Sequence, residues 1–170
     1  MKFDVDWWTE AAGGAVAYMI TKGPAAWCWP SYKTPSDDHI IVCFSMGQNA
    51  KDLKANTNDD GGIIAKALGD LDAMFPSATD KPSETYSGIG KVYDWGSKEY
   101  TLGAYSYPTV DTIYEGGDAF DGNARKALQE PVANGRILFA GEATSLLMPA
   151  TVPGAVDEGE RAARAGKSSE

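Results

Sequence analysis

The chain has one histidine, His39, and two cysteines, Cys28 and Cys43. No Cys-x-x-Cys pair occurs, and His39 opens an apolar run with no ligand partners nearby in sequence, so no metal site is expected. There is no 18-residue apolar run, which excludes a transmembrane helix of ordinary length. The opening Met1-Lys2-Phe3-Asp4 lacks the basic and apolar regions of a signal peptide, and nothing else in the sequence gives a compartment. Basic residues are outnumbered 15 to 24, for a net charge of −9. That field repels nucleic acid and anionic lipid. It attracts a cationic substrate or basic partner only weakly and in a salt-dependent way. No internal repeat, low-complexity tract or interdomain linker interrupts the sequence.

The chain does have 170 residues, 43% of them hydrophobic, enough for one domain with a real core. Nineteen glycines and nine prolines predict many turns. Both cysteines sit in apolar surroundings, Trp27-Cys28-Trp29 and Val42-Cys43-Phe44, and read as buried reduced thiols. The alternative is a disulfide across adjacent strands, which needs only close Cβ atoms.

Alternation predicts a strand over 1–8, with Phe3, Val5 and Trp7 on one face. Further strands are expected over 15–21, 25–29 and 40–46, the last bounded by Asp37-Asp38 and Gly47. Together they suggest an antiparallel meander. Ile63, Ile64, Ala67, Leu68, Leu71 and Phe75 recur at helical spacing, so a helix is expected within 58–75, capped by Asp59 or Asp60 and stopped by Pro76. A strand is expected over 86–95, a short helix over 124–129, a buried strand over 136–140 and a helix over 156–165.

The most informative stretch is RILFAGEATSLLMPATVPGAVDEGERAARAG, residues 136–166. It reads as strand, glycine turn, loop and helix. Gly141 permits close backbone approach. Glu142 follows at a strand's C-terminal end, where open α/β sheets bind ligands. Pro153 and Gly154 stand at a helix start, whose free N–H groups favour negative charge. Upstream, Trp95 is followed by Tyr100-Thr101-Leu102-Gly103-Ala104-Tyr105-Ser106-Tyr107.

These two motifs resemble the C-terminal signature of flavin-containing amine oxidases, the family of monoamine and polyamine oxidases, flavin-type histone lysine demethylases and L-amino-acid oxidases. The matching residues are Ala140-Gly141-Glu142-Ala143-Thr144, Ala150-Thr151-Val152, Gly154-Ala155 through Glu160-Arg161-Ala162, and the aromatic run around Tyr105. The match is strong over 91–166, and Phe3-Asp4-Val5-Asp6-Trp7-Trp8 is similar to a run that opens the second half of the family's substrate domain. The resemblance implies an α+β fold, with a mixed, mostly antiparallel sheet carrying helices on one side. A terminal strand–helix unit of the FAD-binding domain follows. Residues 1–135 would be part of the substrate domain and 136–170 the end of the FAD domain.

It further implies noncovalent FAD beside Gly141, Glu142, Ala150, Thr151, Val152 and Gly154, because Ala104 stands where covalent members carry the flavin-linked cysteine. Tyr105 matches an aromatic wall of the amine cage. Thr151 stands where monoamine oxidases place a second cage tyrosine, which is closer to the polyamine-oxidase and demethylase types. The competing readings are a solvated strand-end carboxylate for Glu142 and a turn-packed ring for Tyr105.

The family's Gly-x-Gly-x-x-Gly fingerprint for the FAD pyrophosphate is absent, and the position of its flavin-side lysine falls before Met1. The chain is therefore expected to begin inside the substrate domain and to bind FAD only with a complementing half. Three readings stay open: a fragment of a longer oxidase, a subunit of a split one, or a non-catalytic subunit of a larger complex. In each, a protein partner or a second copy is expected to cover the apolar edge at 137–140.

Overall fold

In a computed structural model, the chain is described over residues 1–31, 38–57, 59–108 and 122–167. Asp37 and Asn58, which figured as element boundaries, lie outside the described residues. The chain divides into two compact units, Met1–Tyr93 and Asp94–Glu170.

The first unit is α+β. Its four strands are β1 (Lys2–Phe3), β2 (Met19–Ile20), β3 (Trp27–Pro30) and β4 (His39–Phe44), all antiparallel, in the order β1-β4-β3-β2. The register sets Met19 opposite Cys28 and Cys28 opposite Cys43 in one row. Because side chains alternate faces, that row and Ile41 point to the core, where Met19, Cys28 and Ile41 are buried. The neighbouring row of Ile20, Trp27 and Phe44 turns to the other face, where Ile20 and Trp27 are exposed.

Helix α1 (Trp7–Ala11) begins where alternation predicted continued strand. Asp6 caps it, its carboxylate accepting the Thr9 N–H at 3.0 Å, and that cap outcompetes two more residues of pairing. The turn puts both Trp7 and Trp8 in the core, which a strand's alternation would not. Helix α2 (Gly47–Lys54) was not foreseen, since Leu53 is its one buried residue and its sequence carries almost no apolar stripe. Helix α3 (Asp60–Met74) is capped by Asp59, whose carboxylate accepts the Gly62 N–H at 2.7 Å. Ile64, Ala67, Leu68 and Leu71 form its buried face. They pack into one cluster with Phe3, Trp7, Trp8, Val16, Met19, Ala25, Cys28 and Ile41. A short helix, α4, covers Pro82–Thr85.

Two expectations change here. Cys28 and Cys43 form a disulfide, with Cα atoms 4.0 Å apart, rather than standing as free thiols. Their placement directly opposite one another on β3 and β4 is the cause, and no sequence spacing reveals it. Residues 86–95 do not continue as a strand. Tyr86 makes a single bridge to Phe3, after which Gly88 turns at φ +81° and Gly90 passes so close to Ile64 and the Tyr86 hydroxyl that a Cβ would collide.

The second unit contains a 3-10 turn (Trp95–Ser97), helix α5 (Gly122–Gln129), a second 3-10 turn (Glu142–Thr144) and the 16-residue helix α6 (Val152–Lys167). The segment expected as a strand over 136–140 makes one bridge, Val132 with Ile137, and then runs on without a ladder. A strand needs a neighbour to satisfy its N–H and C=O groups, and none of the described residues supplies one. Ile137 and Phe139 stay exposed. Among the described residues no helix is long and apolar enough to cross a membrane.

Candidate functional site

The two motifs that carry the sequence resemblance meet in the second unit, and Glu142 joins them. Gly141 precedes it at φ +120°, a conformation that side chains with a Cβ rarely adopt. The chain therefore turns sharply, and the Glu142 carboxylate swings back between two loops. Its Oε1 accepts the Ser106 N–H at 2.8 Å. Its Oε2 accepts the Ser106 hydroxyl at 2.7 Å and the Ala150 N–H at 2.7 Å. The loop after Tyr105 and the loop before α6 thus share one carboxylate.

Arg125, buried on α5, completes the arrangement. Its Nη1 donates to the Ser106 hydroxyl and to the Ala143 carbonyl, both at 2.9 Å. Burial by itself would raise the Glu142 pKa. The hydrogen bonds from Ser106 and Ala150 and the Arg125 charge outweigh it and hold the carboxyl below its ordinary range.

A second carboxylate anchors α6 from beneath. Glu158 is buried, accepting the Thr144 hydroxyl at 2.7 Å, the Gln129 amide at 2.9 Å and Arg161 Nε at 2.7 Å. Arg161 reaches on to the Gln129 and Phe139 carbonyls. Burial again opposes ionisation and is overcome by these donors, so Glu158 also titrates below the usual range. Sequence reasoning missed Arg125, Gln129 and Glu158, and named Thr144 in the motif without giving it a role. The available signal was the Glu158–Arg161 spacing, which puts an acid and a base on one helix face.

The candidate residues from the sequence lie as follows. Tyr105 is 39% exposed, in the irregular loop with Tyr100 and Tyr107. Thr151 sits at the start of α6, where its hydroxyl accepts the Gly154 N–H at 3.1 Å and donates to the Met148 carbonyl at 2.7 Å. The helix begins one residue before Pro153. With Pro153 lacking an N–H and Gly154 capped by Thr151, the N-terminus offers fewer free donors than a helix start normally has. Val152 is 78% exposed there. Gly154 is needed because a Cβ would lie 2.0 Å from the Met148 carbonyl oxygen, so its close approach is to the preceding loop. Ala150 holds φ +61°, left-handed and unusual for a residue with a Cβ.

Toward a flavin the described residues offer exposed apolar side chains just before and within the first turns of α6, Leu147, Val152 and Val156, while the Glu142 carboxylate is engaged by Ser106 and Ala150. Nothing among the described residues cradles a pyrophosphate.

Comparison with known proteins gives the family. The sequence model described as flavin containing amine oxidoreductase matches residues 1–165. The chain belongs to that family. It is 42% identical over 134 residues to the Lysine-specific histone demethylase 1 homolog 1 of Arabidopsis thaliana, covering 78% of this chain and 14% of that protein. It is 29% identical over 157 residues to the Amine oxidase [flavin-containing] B of Bos taurus, covering 86% and 26%. A solved structure of a putrescine oxidase redesigned in its cofactor binding superposes with a TM-score of 0.70 at 22% identity, over 96% of this chain and 33% of that one. The chain therefore spans well under half the length of these proteins. The family implies a flavin cofactor.

Proposed function

We propose that this chain supplies the amine-facing wall and one edge of the flavin site of an FAD-dependent amine oxidase. It would act together with the dinucleotide-binding half that holds most of the cofactor. Residues 1–135 then belong to the substrate domain and 136–170 to the FAD domain. The observation that carries the reading is the tie of Ser106, Glu142 and Ala150, which brings the aromatic motif and the glycine–helix motif to one place.

When bound, the FAD would take a hydride from the carbon next to an amine nitrogen and pass the electrons to O2, giving peroxide. This chain's residues would do the positioning. Tyr105 presents a ring face that attracts and orients an ammonium group. Thr151 fixes the start of α6, and with it Gly154 and the exposed Val152, against the cofactor. Gly141 and Glu142 shape the turn beside it. FAD would be held noncovalently, since Ala104 offers no thiol. The exposed apolar segment at Ile137–Ala140 is the surface on which a protein partner or second copy would pair.

The test is peroxide release from a panel of polyamines, monoamines and amino acids by the native complex supplied with FAD. Turnover of at least one amine is expected, and Tyr105→Ala should lower it about tenfold, the loss of one aromatic wall. Silence across the panel with no flavin bound would leave the chain a non-catalytic subunit.

A further inference from the structure

Glu142 occupies an unusual position for a residue whose expected neighbour is a cofactor. Three of the hydrogen bonds a carboxylate can accept are already taken, all from this chain. The direction of the network is fixed. Arg125 can only donate, so the Ser106 hydroxyl accepts from it and must give its own proton to Glu142. The same carboxylate holds the N–H of Ala150, whose left-handed backbone persists only where its surroundings impose it. Ala150 in turn precedes Thr151, the hydroxyl that caps α6.

We propose that Glu142 is a positioning residue, with Ser106 and Arg125 as its partners. It locks the Tyr105 loop and the Ala150–Thr151 loop into one unit, so that neither is ordered without the other. Under the function proposed above, the amine side and the flavin side would then be set together. The lock itself is read from this chain's own contacts and is tested without cofactor or substrate.

Ser106 and Ala150 share no hydrogen bond with each other, so the test perturbs one and observes the other. Amide hydrogen exchange of the full chain is compared for the parent, Ser106→Ala and Ser106→Thr. Ser106→Ala is expected to speed exchange at Ala150 by about fivefold, the effect of one hydrogen bond lost from the network. Ser106→Thr keeps the hydroxyl and should restore the parent rate, a rescue that mere loop packing would not give. Glu142→Ala removes both acceptor oxygens, and exchange should rise at Ser106 and Ala150 alike. In that background Ala150→Gly, which tolerates the left-handed backbone, should return part of the protection at Gly154. An unchanged Ala150 amide in Ser106→Ala, or a rise confined to one loop in Glu142→Ala, would overturn the proposal. Failure of the peroxide assay would not, because no exchange measurement involves flavin or amine.

Discussion

In Met1–Tyr93 the buried side chains are those of an oil-like interior: Phe3, Trp7, Trp8, Met19, Ile41 and Leu71, edge-on aromatic pairs among them. Among the described residues of Asp94–Glu170 the buried side chains are Arg125, Thr144, Ser145 and Glu158, while Ile137, Phe139, Leu147, Val152 and Val156 stand exposed. The difference is one of physical cause. The first unit is stabilised by removing apolar surface from water, about 25 cal/mol per Å². The second is ordered by two carboxylates whose donors converge from separate loops, and several of its large apolar side chains stay exposed. Under the proposed function, a region built for its own stability and a region built to be one side of a site differ in which atoms are hidden.

The largest expected effect lies in the first unit. Phe3 is 1% exposed and packs edge-on against Trp7, Trp8 and Tyr86. Phe3→Ala should destabilise it by about 4 kcal/mol, transfer and cavity terms together. Urea unfolding followed by fluorescence of the neighbouring tryptophans measures this. A loss below about 1 kcal/mol would mean that the cluster is not what holds the unit.

The second unit should break differently. Glu158→Ala strands Arg161, Gln129 and Thr144 without their acceptor, and should cost about 3 kcal/mol there. In the parent chain the two units should also differ in how early acid opens them. The folded pKa values of Glu158 and Glu142 lie below the ordinary one. Their contribution is therefore complete above the unfolded value, about 4.3, and is lost as pH falls through the folded values. Hydrogen exchange or proteolysis between pH 6 and 3 should show Asp94–Glu170 opening first, and opening earlier in Arg125→Met. Simultaneous opening of both units would erase the contrast.

This contrast also governs what the sequence could disclose. Helix α3 was legible because Ile64, Ala67, Leu68 and Leu71 repeat at helical spacing and Asp59 and Pro76 bracket it. The sheet was legible as a meander only for β2, β3 and β4, since β1 pairs with β4 rather than with β2, and its first strand is shorter than alternation suggested because Asp6 turns the chain into α1. The Cys28–Cys43 disulfide was not, since it depends on register between β3 and β4. In the second unit the motif residues were visible as a pattern, yet the contacts of Glu142 were not. A carboxylate after a glycine turn reads the same whether it meets solvent, a ribityl chain or Ser106. Glu158 hid among the charges of an exposed-looking helix, and only its Arg161 spacing distinguished it. Apolar periodicity reports burial by area, and polar convergence leaves no period to read.

The smallest expected effect is the sharpest test of what the exposed apolar surface is for. Leu147 is 90% exposed, and Phe139 is 43% exposed on a segment that, beyond the Val132–Ile137 bridge, has no ladder partner among the described residues. If these side chains contributed to the folding of the chain, replacing them would destabilise it as core substitutions do. If they are kept for contact with another surface, Leu147→Ser and Phe139→Ser should shift stability by no more than about 0.5 kcal/mol, the usual range for exposed sites. The difference should appear in association: light scattering or sedimentation of the concentrated chain should show less self-association in both variants than in the parent. A stability loss above about 1.5 kcal/mol would place these side chains in a core of the second unit. The division drawn here, apolar burial in one unit and carboxylate convergence in the other, would then fail at the residues that define it.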